Sequence, residues 1–69
     1  GVEGQPVLTR ENAVQLALSK VFGEVDDVEL IKENGTLIYE IEIETDNDRE
    51  VNILINAYSG EIVSIEWED

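Results

Sequence analysis

The chain has no cysteine and no histidine. Without cysteine, disulfides cannot staple it and a cysteine-based metal site is excluded. Without histidine it lacks the commonest general base, a common zinc ligand and any Ser-His-Asp triad. Positive charge is scarce: Lys and Arg total 4 against 17 Asp and Glu, a formal net charge of −13. A surface of that sign repels nucleic-acid phosphates and anionic membranes, which counts against both as partners. No run approaches the roughly 18 apolar residues of a membrane-spanning helix, and no signal-peptide pattern is visible. The single proline lies in "GVEGQPV", a small, polar opening.

What is present is patterned. Hydrophobic residues make up 42% of the 69, too many for a charge-driven disordered chain. The length suits one domain. A domain of about 60 residues buries only roughly 60% of its unfolded surface, so the expected stability is marginal. Gly1 stands where a start methionine would, which suggests a piece of something longer. Residues 1–7 read as a linker or expression remnant, and residues 8–69 as a single domain.

Thr9 is a good N-cap, because its hydroxyl can accept a first-turn N–H. Ala13, Leu16, Ala17 and Val21 follow at helical spacing, widened by Val14, Leu18 and Phe22. Gly23 reads as a left-handed C′ residue, so the helix is expected over Arg10–Phe22. The period then drops to two. Val28 and Leu30 alternate with Glu29 and Ile31 up to Asn34-Gly35, the pair that a type I′ hairpin turn favours. "TLIYEIEIET" sets Leu37, Tyr39, Ile41 and Ile43 against Ile38, Glu40, Glu42 and Glu44, a half-buried strand. Asp46–Arg49 form a second hairpin loop. "EVNILINA" alternates Val51, Ile53, Ile55 and Ala57 with Asn52, Leu54 and Asn56. A last strand, "EIVSIEWE", aligns Val63, Ile65 and Trp67. One helix stripe and one sheet face must cover each other. The expected fold is α+β, an N-terminal helix packed on a three- to four-stranded antiparallel meander.

Catalytic equipment is absent from this pattern. Ser19, Ser59 and Ser64 have no activating partner in any motif, and a carboxylate pair needs a cleft that so short a chain scarcely affords. "DNDRE", Asp46 to Glu50, spaces carboxylates as calcium loops do, but the EF-hand pattern and its glycine are missing, and a solvated hairpin tip explains it. Asn34-Gly35-Thr36 matches a glycosylation sequon, yet the turn already accounts for Asn-Gly. Tyr39 and Trp67 have the parity of core strands and read as packing rather than as interface anchors. No catalytic residue, metal or cofactor is expected.

The outer sheet face is the better candidate. Parity gives it Glu29, Glu33, Glu40, Glu42, Glu44, Glu66, Asn52 and Asn56, with Ile31, Ile38, Leu54 and Ile62 among them. Acids mixed with exposed aliphatics suit docking to a basic, partly apolar partner. The candidate partner-binding residues are Ile38, Glu40, Glu42, Leu54 and Ile62.

Three stretches carry a family resemblance over nearly the whole chain. "LTRENAVQLALSKV", Leu8 to Val21, resembles the first helix of PepSY domains. "LIYEIEI", Leu37 to Ile43, resembles their middle strand. "INAYSGEIVSI", Ile55 to Ile65, resembles their closing element, with Asn56 where the family often has Asp and Ser59 where Thr is commoner. Asn56, Ala57, Ser59 and Gly60 thus form a turn signature with a structural role. The resemblance implies a noncatalytic extracytoplasmic module, secreted or in the cell envelope, that inhibits or modulates a peptidase or other envelope protein. The implied partner is a protein, such as a secreted metallopeptidase or a neighbouring domain of the parent chain. The alternative is a structural or self-associating spacer domain of a longer secreted or membrane-anchored protein.

Overall fold

The computed structural model describes residues 7–68. Helix α1 spans Arg10–Lys20, and four strands follow: β1 Glu24–Glu33, β2 Thr36–Glu44, β3 Glu50–Asn56 and β4 Ile62–Glu68. They form one antiparallel sheet in the order β1-β2-β3-β4. This is the expected α+β meander, with four strands. The expected linker at residues 1–7 lies, except for Val7, outside the described residues.

Thr9 caps α1 by accepting the Asn12 backbone N–H at 3.0 Å. Ala13 and Ala17 are fully buried, and their small side chains let the helix lie close to the sheet. The helix stops at Lys20, two residues before the sequence reading placed its end. Val21 is already extended, at φ −137° and ψ 116°, and its N–H closes on the Ala17 carbonyl. Phe22 is therefore 80% exposed and no part of the helical stripe. Gly23 is not a left-handed C′ residue. A Cβ there would stand 2.4 Å from the Glu44 carbonyl oxygen and 2.7 Å from Ile43 Cγ2, so glycine serves a close approach to β2.

The Asn34-Gly35 turn has φ of 51° and 81°, the two positive values that a type I′ hairpin requires. The core lies between α1 and one sheet face. Ile41, Ile43, Val51, Ile53 and Ile55 are fully buried there, with Tyr39 and Ala57. Two β-bulges reset strand parity. In β1 the register slips between Val25 and Asp27, so Val25 opposite Ile43 and Val28 opposite Ile41 both face α1. In β4 the ladder passes from Leu54↔Ser64 to Ile55↔Ile62, leaving Val63 as the extra residue.

Ile62 therefore packs against the helix-side core, not on the outer face where strict alternation places it. Ile65 and Trp67 do stand on the helix side, opposite Ile53 and Val51. They nonetheless remain 41% and 45% exposed, because the backbone of α1 comes within 8 Å of β1, β2 and β3 but not of β4.

Candidate partner-binding face

The face of the sheet away from α1 is built in cross-strand rows. One row runs Ile31–Ile38–Asn56 and the next Glu29–Glu40–Leu54–Ser64. Beyond them lie Asp27–Glu42–Asn52–Glu66 and Glu24–Glu44–Glu50–Glu68. One end of the face is thus aliphatic and the other almost wholly acidic. None of the four basic residues holds a position in these rows. Arg10 and Lys20 lie on α1, Lys32 is opposite Leu37 on the helix side, and Arg49 precedes β3.

Ile38 and Leu54 have the outward parity expected of them, but they are not available as exposed docking residues. They are only 4% and 7% exposed. As diagonal cross-strand neighbours flanked by Ile31 and the long side chain of Glu40, they form a small apolar patch apart from the helix-side core. Sequence parity counts faces but not the shielding of one side chain by its neighbours. With Ile62 on the helix side as well, Glu40 and Glu42 are what remains of the candidate set on the open face.

Several members of the face escaped the sequence reading. Glu50 and Glu68 follow from extending the alternation of Asn52 and Glu66 by one step. Asp27 follows in the same way from Glu29, but Asp26 does not, because the β1 bulge brings a residue of the wrong parity round to the acidic side. Carboxylate oxygens of Asp26, Glu42 and Glu50 lie within 4.8 Å of one another, as do those of Glu24, Asp26 and Glu44. Such oxygen sets can attract hard cations, and crowded exposed acids do so without a dedicated site.

The crowding shows in the protonation equilibria. The Glu29 carboxyl is raised above the ordinary glutamate range, chiefly by a hydrogen bond and repulsion from Asp27. Glu42 is raised by desolvation first, then by Glu68, Asp26, Asp27 and Glu40. Glu50 is raised mainly by Glu42, with desolvation next. All three shifts have the direction that like-charge repulsion dictates.

The turn between β3 and β4 lies at the aliphatic end of this face. Asn56 Oδ1 accepts the N–H groups of Tyr58 and Ser59 at 2.8 and 3.0 Å. Ser59 Oγ accepts the Glu61 N–H at 3.1 Å, and the Gly60 N–H donates to the Asn56 carbonyl at 2.8 Å. Gly60 has φ of 80°, a left-handed value. Buried Ala57 joins three segments. Its N–H donates to the Leu37 carbonyl and its carbonyl accepts from the Leu8 N–H. The Tyr39 hydroxyl donates to the Leu8 carbonyl at 2.8 Å, so this tyrosine anchors the start of the helix to the sheet. The side-chain oxygens of Asn56 and Ser59 are thus both engaged in holding turn backbone.

Residues 7–66 match the family described as "PepSY: Peptidase propeptide and YPEB domain". The "Uncharacterized membrane protein YkoI" of Bacillus subtilis (strain 168) is 36% identical over 62 residues, which is 90% of this chain and 27% of that protein. The "Uncharacterized protein YkoJ" of the same organism is 35% identical over 65 residues, 94% of this chain and 38% of that one. The chain therefore spans well under half the length of these relatives. No solved structure matches it significantly. With the family match covering helix, meander and closing turn, this chain belongs to the PepSY family.

Proposed function

We propose that this chain is a noncatalytic, extracytoplasmic protein-binding module that restrains a peptidase or other envelope protein. The observation that supports it best is the segregation of charge. The outer face gathers Glu24, Asp26, Asp27, Glu29, Glu40, Glu42, Glu44, Glu50, Glu66 and Glu68, with no basic residue in its rows. Keeping so many acids together costs stability through repulsion, and docking a basic surface there relieves that cost. The membership of the PepSY family and the naming of one relative as a membrane protein support placement outside the cytoplasm.

The test is inhibition with a charge control. The purified chain is added at high micromolar concentration to the secreted peptidases of Bacillus subtilis, the organism of its relatives. The expected result is reduced turnover by a metallopeptidase, weakened by added salt and by Glu42→Lys combined with Glu66→Lys. Undiminished activity of every peptidase overturns the inhibitory reading. Inhibition that ignores both salt and charge reversal overturns the assignment to the acidic face.

A further inference from the structure

The two edges of the sheet are built differently. Edge strand β1 carries Glu24, Asp26, Asp27, Glu29, Lys32 and Glu33, and is bent by a bulge at Val25/Asp27. Charges and bulges of this kind block the pairing of a further strand. Edge strand β4 carries fewer charges, Glu66 and Glu68. After its own bulge, exposed Ile65 and Trp67 on the helix side alternate with Ser64, Glu66 and Glu68 on the acidic side. Among the described residues no strand pairs with its outer edge, and the backbone of α1 does not come within 8 Å of it.

We infer that β4 accepts an additional strand from a partner, an extended segment in which apolar residues alternate with Lys or Arg. Main-chain hydrogen bonds to the open edge would supply affinity, and the alternate side chains would supply specificity. The register of β4 dictates the chemistry. On the helix side the incoming apolar residues would continue the surface of Ile53–Ile65 and Val51–Trp67. On the other side the basic residues would extend the rows Asp27–Glu42–Asn52–Glu66 and Glu24–Glu44–Glu50–Glu68, which end at β4 in Glu66 and Glu68 and hold no basic residue. Arg49, beside Glu44, Glu50 and Glu68, is the one cation near them among the described residues. A second copy of this chain fits poorly, since pairing β4 with β4 brings together two chains of net charge −13.

The inference rests on the binding-module reading, but the two fail separately. A strand can dock without inhibiting a peptidase, and inhibition can proceed from the acidic face with β4 untouched. The test uses the isotope-labelled 69-residue chain and a capped seven-residue peptide alternating valine and lysine, matched to the length of β4. Two further peptides carry N-methyl groups on alternate amides, one in each register.

The expected outcome has three parts. Hydrogen exchange of alternate amides in Ile62–Glu68 slows by about tenfold or more at saturation. One N-methyl register abolishes binding while the other preserves it. Ile65→Lys weakens binding by about tenfold, with the amide spectrum still that of the folded chain. Equal binding of both N-methylated peptides overturns the inference and leaves only diffuse attraction to the acidic face. Unchanged exchange in β4 at saturation, or no binding of the parent peptide, overturns it as well.

Discussion

Asn56 and Gly60 divide the work of the closing turn. Asn56 supplies a side-chain acceptor for two backbone donors, and Gly60 supplies a backbone angle that L residues adopt with strain. Gly60→Ala is expected to cost about 1–2 kcal/mol from the left-handed conformation alone. The added Cβ would also stand 3.3 Å from Leu16 Cδ1 and 3.4 Å from Leu8 Cδ1. Chemical denaturation should show a lower midpoint with an unchanged slope. A second contrast lies on the outer face. Leu54→Lys forces a charge into a 7% exposed position and should destabilise by about 2 kcal/mol or more. Glu42→Lys removes one member of a repelling cluster and should raise the melting temperature. If Leu54→Lys melts like the parent chain, the apolar patch of Ile31, Ile38 and Leu54 is not contributing to the fold.

Among the elements, α1 depends most on its neighbours. At 11 residues it is too short to be stable alone. It is held by the Thr9 cap, by Ala13 and Ala17 seated on the sheet, and by the bonds that tie Leu8 to Ala57 and Tyr39. Thr9→Ala should cost about 1 kcal/mol, and hydrogen exchange should speed up first in the N-terminal turn of α1. Strand β4 contrasts with it. Paired along one edge only and uncovered by the helix, it is expected to exchange faster than β2 and β3. Arg49 lies 4.7 Å from the centre of the Trp67 ring, a cation–π contact that steadies the far end of the strand.

For the whole molecule, charge sets the response to solvent. The raised carboxyls of Glu29, Glu42 and Glu50 bind protons more tightly in the folded than in the unfolded chain. Their effect is a penalty, fully present above the folded pKa values and relieved as pH falls toward the unfolded value of 4.5. The melting temperature should therefore rise on acidification from pH 7 toward about 5. It should also rise with sodium chloride, through screening. Calcium at the same ionic strength should add a further shift only if the acidic trios bind it as a site. A melting temperature that falls steadily over that pH range would contradict the repulsive reading of the outer face.

Much of this architecture was legible in the chain itself. The Thr9 cap, the spacing of Ala13 and Ala17, the Asn34-Gly35 turn, the alternation of Leu37–Ile43 and the turn at Asn56–Gly60 are local signals. Each is encoded within a few residues and obeys local stereochemistry, so helix, meander and family resemblance followed from them. The reach of α1 over β1–β3 but not β4 is a different kind of fact, as are the two bulges and the shielding of Ile38 and Leu54. They depend on how layers of different width overlap and on which residue the ladder leaves unpaired. A single inserted residue reverses parity beyond it without any mark in the pattern of side chains. That is why Ile62 turned to the core and Asp26 joined the acidic face, whereas Trp67 kept its core-side parity and stayed exposed because α1 stops short of β4.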